Sequence, residues 1–312
     1  MALYVGIDGG GSKTRAVVAG RDLAPLGRGS GPASNASRTS LAHILEVVQE
    51  AVAEALNGAG ATLEELRGLC CGLAGIEASG MALRLQMALT RSFQMRITLA
   101  TDARIALAAA TRGPVDGPGV VLISGTGAIA FGRSAEGREA RAGGWGPLLG
   151  DEGSGYAIAR EGLSAVLRDF DGRGPGTRLR STVLASEGVT VPSELLQRVL
   201  RDSRPSEIAA FFPLVLDAAR QGDGVACEIF QRAGDELALA VTTVVRQLGM
   251  EGEAFTVATV GGVFESGELV LGPIRSALAK AAPAASLAPA AFPPEIGAVR
   301  IAIAEEAKAG QA

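Results

Sequence analysis

A glycine-rich stretch near the start of the sequence contains the residue types of a phosphate and magnesium site. Residues 5–14 read V-G-I-D-G-G-G-S-K-T, so an apolar run ends on Asp8 and a second β-like run follows the turn. Glycines let backbone amides approach an anion, hydroxyl groups can donate to phosphate oxygens, and a carboxylate at a strand end can hold a cation. The pattern predicts a strand, a glycine turn and a returning strand around such a site. A glycine-rich hairpin without a ligand is the alternative, because one such match is weak support.

Two better-known glycine loops do not fit this stretch. The P-loop needs a lysine directly after its last glycine and a helix behind it, but Ser12 separates Gly11 from Lys13 and the next residues favour a strand. The dinucleotide-binding fingerprint also needs a helix after its glycines. The predicted strand-turn-strand geometry therefore rejects both.

The same motif of strand, glycine turn and returning strand occurs a second time in the sequence. The apolar run V-V-L-I at 120–123 ends in Ser124-Gly125-Thr126-Gly127, and another β-like run follows at 128–132. Such an internal repeat gives each half of the protein a hairpin of the same kind. Two hairpins that face each other across a cleft could hold the polyphosphate of a nucleotide, and together they are a much stronger signal than either loop alone.

The acidic residue best placed for catalysis is Asp102. It comes directly after a predicted strand at 95–100 and opens a helix-like stretch at 103–110. Ligands of open α/β sheets bind at the carboxyl ends of the strands, which favours a catalytic role. Aspartate is also a preferred helix N-cap, and position alone favours the cap, although the two roles are compatible. The sequence has a single histidine, so a Ser-His-Asp triad is hard to build and a multi-histidine metal site is impossible. Any chemistry must then be carried by carboxylates.

Two further glycine-rich segments predict binding surfaces. Residues 143–156 read G-G-W-G-P-L-L-G-D-E-G-S-G-Y and form a loop that leads into a helix, with a structural turn capped by Asp151 and anchored in the core by Trp145 as the alternative. A predicted strand at 255–260 runs into Gly261 and Gly262, and this pair permits close approach of a flat ligand such as adenine.

The order of predicted elements and the composition indicate the fold class, the number of domains and the kinds of partner. The first hundred residues alternate as β-β-β-α-β-α-β, which favours an α/β layered domain, and the chain of 312 residues is long enough for two domains, with a boundary in the loop at 111–118. Residues 205–220 are predicted as one helix and residues 282–294 as a loop. The net charge of −4 and the 4% aromatic content disfavour nucleic acid as a partner. Without a long apolar run or a leader, the sequence predicts a cytoplasmic protein that has no membrane partner.

Five motifs in this order resemble the N-acetylglucosamine kinase and BadF/BadG/BcrA/BcrD-type ATPase family, part of the actin, hexokinase and Hsp70-like ATPase superfamily. They are I-D-G-G-G-S-K-T, T-D-A at 101–103, I-S-G-T-G at 123–127, the loop at 143–156 and V-G-G-V-F at 260–264. The match spans nearly the whole chain. The resemblance implies two ribonuclease-H-like domains with ATP and magnesium in the cleft between them. The expected division is residues 1–112 plus about 295–312 against 113–294.

The resemblance also implies roles for individual residues. Asp8 would help hold magnesium through water, and Asp102 would take the proton from the 6-hydroxyl of N-acetylglucosamine or glucosamine. Residues in contact with the nucleotide would be Gly10, Gly11, Ser12, Lys13, Gly125, Thr126, Gly127, Gly261 and Gly262. Residues in contact with the sugar would be Asn35, Asp102, Gly144, Trp145, Gly146 and Asp151. Dimers are common in that family, so a homodimer is one expectation, although no residue of the sequence indicates it.

Two other functions stay open at this stage. Some members of the family are ATPase activators of acyl-CoA reductases and dehydratases, and these bridge an iron–sulfur cluster across a dimer. Cys70 and Cys71 lie in a predicted buried strand and Cys227 in a predicted helix, which gives cluster ligation little support. A sugar sensor without turnover is the other possibility. Transcriptional versions would need an added DNA-binding segment, and the sequence starts directly on its first predicted strand.

Overall fold

Ten strands and eleven α-helices make up the computed structural model, which describes residues 2–310. The strands are β1 Leu3–Gly9, β2 Thr14–Ala19, β3 Pro25–Gly31, β4 Leu66–Leu73, β5 Ile97–Thr101, β6 Gly119–Ser124, β7 Ala128–Arg133, β8 Glu139–Gly143, β9 Thr256–Val260 and β10 Ser286–Pro289. The helices are α1 Leu41–Ala59, α2 Ala82–Phe93, α3 Asp102–Ala110, α4 Gly155–Phe170, α5 Arg178–Ser186, α6 Pro192–Arg201, α7 Pro205–Ala209, α8 Phe212–Arg220, α9 Gly224–Leu248, α10 Glu268–Ala281 and α11 Pro294–Ala309, with 3₁₀ turns at Leu63–Glu65 and Gly262–Ser266.

The strands form two five-stranded sheets of the same topology. The first sheet has the order β3-β2-β1-β4-β5, and the second, β8-β7-β6-β9-β10, repeats it strand for strand. In each sheet the first three strands of the order pair antiparallel and the last two join in parallel. This confirms both the α/β class with two ribonuclease-H-like sheets and the internal repeat predicted from the two glycine hairpins.

Alternation along β1 sends its side chains to two different cores. Val5 and Ile7 pack towards α1, whereas Tyr4 belongs to the cluster formed with α3 and α11. Helix α11 packs on the backbone of β1, since a β-carbon added at Gly6 would lie 2.0 Å from the carbonyl oxygen of Glu295. The last helix therefore lies directly on the first sheet. The domain boundaries themselves stay a prediction.

The segment between α3 and β6 is tied to α11 by one buried side chain. The guanidinium of Arg300 donates hydrogen bonds to the carbonyl oxygens of Ala108, Thr111 and Gly113. These carbonyls lie at the end of α3 and in the segment after it. Because helix ends leave carbonyls without intrahelical partners, Arg300 satisfies groups that would otherwise be orphaned.

A cluster of ion pairs also crosses this region. Arg104 on α3 contacts Glu139 on β8, and it lies 3.4 Å from Asp116 in the connecting segment. Arg133 on β7 is 2.9 Å from Glu139, and Lys308 on α11 is 3.3 Å from Asp116. We call these five residues the hinge ion cluster, because they join α3, α11 and the segment after α3 to the second sheet.

Two predictions about local structure were wrong. Strand β10 lies within residues predicted as a loop, because its sequence Ser-Leu-Ala-Pro has little strand character and only parallel pairing with β9 holds it at the sheet edge. The helix predicted over 205–220 is interrupted after Ala209, and Pro213 lies in the first turn of the next helix. Among residues 2–310, no helix combines the length and apolar character needed to cross a bilayer.

Candidate active site

The tips of the two glycine hairpins touch each other. Ser12 Oγ in the first hairpin lies 3.1 Å from Thr126 Oγ1 in the second. Each turn is closed by a backbone hydrogen bond, from Gly10 N to Lys13 O at 3.0 Å and from Gly125 N to Gly127 O at 2.9 Å. An added β-carbon would meet nothing nearer than 3.6 Å at Gly10 and 4.0 Å at Gly11, and nothing within 4 Å at Gly125. The space around these three glycines is therefore open, as an anion site requires.

Asp8 lies at the carboxyl end of β1, beside the first hairpin. Its side chain is 20% exposed and its Oδ2 is 3.8 Å from the guanidinium of Arg15, the residue paired with it on β2. Burial, the charge of Asp102 and the charge of Glu295 raise the pKa of Asp8 to about 7, and Arg15 and Lys13 act in the opposite direction. Neighbouring carboxylates that raise the pKa of Asp8 in this way form a site that a cation would stabilise.

Asp102 is the first helical residue of α3, and it is not the helix cap. Thr101 occupies the cap position, since its Oγ1 accepts a hydrogen bond from Arg104 N at 3.1 Å. The cap interpretation is therefore wrong, because the helix begins one residue earlier than the pattern suggested. Burial raises the pKa of Asp102, the charges of Glu77 and Asp151 add to this, and the backbone amide of Ala103, 3.0 Å from Oδ1, opposes it. A carboxylate with a raised pKa is a better proton acceptor than an ordinary one.

Backbone hydrogen bonds hold the loop of Asn35 beside the first hairpin. Ser34 N donates to Gly10 O at 3.1 Å, and Ala36 N donates to Ala74 O at 2.8 Å at the end of β4. The Oδ1 of Asn35 accepts from the backbone and hydroxyl of Ser37, at 2.9 and 2.7 Å. Its Nδ2 lies 4.0 Å from the position that a β-carbon of Gly11 would take. The amide is thus fixed in orientation near the first glycine hairpin.

Asp151 joins the loop at 143–156 to the second hairpin. The residue is 7% exposed with φ of +60°, and its Oδ2 lies 2.9 Å from where a β-carbon of Gly127 would stand. Burial raises the pKa of Asp151, while hydrogen bonds from the backbone of Ala128 and Gly146 and the charge of Arg38 lower it. Ser154, and not Asp151, caps α4 by accepting from Ala157 N at 3.1 Å. The capping alternative for Asp151 is therefore wrong.

Trp145 is a surface residue of the same loop. Its side chain is 67% exposed, and the guanidinium of Arg141 lies 4.4 Å from the centre of the indole ring. A role as core anchor is therefore wrong. Gly144 and Gly146 on either side have φ of +71° and +84°, values that favour glycine, so the loop conformation depends on both.

Gly261 brings the end of β9 against the second hairpin. Its φ is +117°, and an added β-carbon would lie 2.1 Å from the carbonyl oxygen of Ser124. Gly262 is exposed, with nothing within 4 Å of its β-carbon position. The two glycines lie beside the second glycine hairpin and leave one face open, as the predicted approach of a flat ligand requires.

Three charged residues near these groups were not found from the sequence. Glu77 follows the carboxyl end of β4, and its charge raises the pKa of Asp102; the strand-end rule that indicated Asp102 could have indicated it too. Glu295 affects Asp8 and Arg38 affects Asp151. Glu295 comes from a distant part of the sequence, and no local pattern relates it to the site. Arg38 lies three residues after Asn35, and this closeness to a predicted sugar contact could have indicated it.

The donor atoms suit a magnesium ion that arrives with a nucleotide. In the described part of the chain, no group of three His, Cys, Asp or Glu side chains is arranged to hold a metal ion. Magnesium is commonly held by one or two carboxylates, several waters and substrate phosphates. Asp8, with its raised pKa and its place beside the hairpins, fits that donor set.

The cysteines offer no accessible iron–sulfur site. Cys70 and Cys71 are both fully buried in β4, and burial raises the pKa of Cys70 to about 12 and that of Cys71 well above the usual value. Thiolates are the form that binds metal, so neither residue is suited to ligation. The third cysteine, Cys227, lies in α9 with its Sγ 3.5 Å from the carbonyl oxygen of Ala219.

Comparisons with known proteins agree with this geometry. The model of the BadF/BadG/BcrA/BcrD ATPase family matches residues 5–302. The chain is 35% identical over 268 residues to an N-acetylmuramic acid/N-acetylglucosamine kinase of Clostridium acetobutylicum, covering 85% of this chain and 87% of the relative. It is 28% identical to an N-acetyl-D-glucosamine kinase of Dictyostelium discoideum, covering 96% and 98%. A solved structure from Chromobacterium violaceum, provisionally described as an N-acetylglucosamine kinase, superposes with a TM-score of 0.76 at 26% identity, covering 96% and 98%.

Proposed function

The chain belongs to the BadF/BadG/BcrA/BcrD ATPase family, and we propose that it is a sugar kinase that transfers the γ-phosphoryl group of ATP to the 6-hydroxyl of N-acetylglucosamine or glucosamine. The contact between Ser12 and Thr126 carries the proposal, because it brings two anion-binding turns together at one point. Curated relatives over most of the chain are kinases of such sugars, which supports the substrate class.

The nucleotide lies between the two sheets in this proposal. The hydroxyls of Ser12 and Thr126 and the open backbone at Gly10, Gly11 and Gly125 contact its phosphates. Gly127 closes the second turn beside them, and Lys13 adds a positive charge at the first turn. Gly261 and Gly262 border the adenosine, where the open face of Gly262 leaves room for a flat ring. Asp8 holds magnesium through water, and the ion, when bound, neutralises charge on the phosphates.

The sugar lies between Asn35 on one side and the loop with Gly144, Trp145, Gly146 and Asp151 on the other. Asp102 accepts the proton of the 6-hydroxyl as that oxygen attacks phosphorus. Burial and neighbouring acids raise the pKa of Asp102, which brings its basicity closer to that task. Closure of the two halves on the sugar excludes water, which competes as an acceptor of the phosphoryl group.

The test is ATP turnover with magnesium in the presence of glucosamine, N-acetylglucosamine, N-acetylmannosamine, N-acetylmuramic acid or glucose, with the phosphorylated oxygen of each product located by NMR. We expect strong stimulation by N-acetylglucosamine or glucosamine and a 6-phosphate product. A response to N-acetylmuramic acid alone would keep the kinase and overturn the proposed acceptor. ATP binding without stimulation by any sugar would contradict the kinase proposal itself.

A further inference from the structure

Glu295 is a buried acid with half of its carboxylate unpaired. It lies in the first turn of α11 with 4% of its side chain exposed. Its Oε1 accepts a hydrogen bond from Arg28 Nη1 at 3.2 Å, whereas Oε2 is buried and has no hydrogen-bond partner among residues 2–310. A buried carboxylate oxygen without a partner is unfavourable and rare in folded proteins. The arrangement therefore indicates that a partner outside the chain completes it.

The fold places Glu295 and Asp8 on the same face of the first sheet. Helix α11 touches the backbone of β1 at Gly6, where the carbonyl oxygen of Glu295 lies 2.0 Å from the position of an added β-carbon. Asp8 is two residues further along the same strand, and therefore on the same face of the sheet. The negative charge of Glu295 raises the pKa of Asp8, so the two carboxylates are near enough to interact.

The positive charges nearby do not satisfy the free oxygen. Arg28 reaches only Oε1, and its own side chain is 58% exposed to solvent. Arg15 lies 3.8 Å from Asp8. In the described part of the chain, Oε2 has neither of them as a hydrogen-bond partner. A hydrated cation between the two acids would provide both the missing charge and the missing donor.

We propose that Glu295 is the second carboxylate of the magnesium site, and that its Oε2 accepts a hydrogen bond from the water shell of the ion held by Asp8. The proposal rests on the proposed nucleotide site. Since Asp8 and Glu295 then serve the metal ion, Asp102 is left free to accept the proton from the sugar.

The experiment compares ADP affinity in magnesium and in EDTA by titration calorimetry. For Glu295→Gln, which keeps the shape of the side chain, we expect affinity in EDTA to equal that of the natural chain, and the gain on adding magnesium to fall about tenfold, as for other groups that act through a metal's water shell. Glu305→Gln is the matched control, because Glu305 lies on the same helix and pairs at the surface with Lys308. It should leave both affinities unchanged.

A second variant separates the metal role from the ion pair with Arg28. Arg28→Gln removes that partner but leaves both carboxylate oxygens, so the magnesium effect should persist, and this variant tests the proposal even if Glu295→Gln does not fold. An undiminished magnesium effect in Glu295→Gln, or an equal loss in Arg28→Gln, would overturn the role of Glu295. Absence of ADP binding in the natural chain under both conditions would instead contradict the proposed nucleotide site.

Discussion

Asp102 is the residue on which the proposed chemistry depends most directly. It lies at a strand end among other acids, and Thr101 caps α3 in its place. We predict that Asp102→Asn lowers kcat by about 10²–10⁴, the usual contribution of a general base. Because asparagine keeps the oxygen that accepts from Ala103, fold and ATP affinity should be unchanged. Steady-state kinetics with a parallel ATP titration measure this, and turnover close to that of the natural chain would remove Asp102 from the mechanism.

The raised pKa of Asp8 makes the stability of the free protein depend on pH. Its pKa is about 7 when folded, against 3.8 for the free side chain, so between these values the folded chain holds a proton that the unfolded chain has released. Ionisation of Asp8 therefore costs nothing below pH 4, and it lowers the free energy of unfolding by about 4 kcal/mol at most as the pH rises to 7. We predict that Asp8→Asn flattens this part of the profile. Denaturant unfolding between pH 4 and 8 without magnesium measures it, and two parallel profiles would exclude Asp8 as the cause.

For single residues, the sequence predicts site residues at the ends of strands. It does not predict site residues that folding brings in from distant parts of the chain. Asp8 comes directly before a glycine turn, and Asp102 stands where a strand ends and a helix begins. Their place in the fold is therefore visible in the local sequence pattern. The charge of Glu295 acts on Asp8 only because α11 packs at Gly6, almost three hundred residues earlier in the chain. No periodicity within α11 relates it to the first hairpin.

The junction of β9 with the second hairpin depends on Gly261. We predict that Gly261→Ala lowers the free energy of unfolding by about 1–3 kcal/mol, because the new methyl group meets the Ser124 carbonyl and φ is +117°. ATP affinity should fall with it, since the strained hairpin is the proposed phosphate site. Gly262→Ala is the control for stability, as nothing lies within 4 Å of its β-carbon position. Urea unfolding of both variants checks this, and equal stabilities would contradict the close-packed junction.

Elements with a strong internal pattern were predictable, and elements held by their neighbours were not. The two hairpins repeat the same run of apolar residues, glycines and hydroxyls, so the repeated sheet could be inferred before any contact was known. Strand β10 has only four residues and ends on Pro289, and it exists because β9 offers a parallel edge. Such a strand depends on tertiary pairing, which its own sequence does not encode.

For the molecule as a whole, the hinge ion cluster links the second sheet to α3 and α11, the helices that form a core with Tyr4 of the first sheet. It is present together with the contact between the hairpin tips, so we infer that it favours the arrangement in which the tips meet. We predict that Arg104→Gln raises the KM for sugar severalfold with little change in kcat, and lowers stability by less than about 1 kcal/mol, since the pairs are partly exposed. Rising salt should raise the KM of the natural chain and hardly affect the variant, because salt screens such pairs. Kinetics at low and high ionic strength test this. An equal salt dependence of KM in the natural chain and the variant would show that the cluster does not influence closure on the sugar.

The exposed position of the only tryptophan gives the protein a built-in optical reporter. The indole of Trp145 belongs to the loop proposed to meet the sugar, and a charged guanidinium lies over its ring. Its fluorescence therefore comes from a single known place, without background from other indoles. Sugar that covers the ring should shift the emission to shorter wavelength and protect it from iodide quenching. Binding of the acceptor could thus be followed in real time on the unlabelled protein.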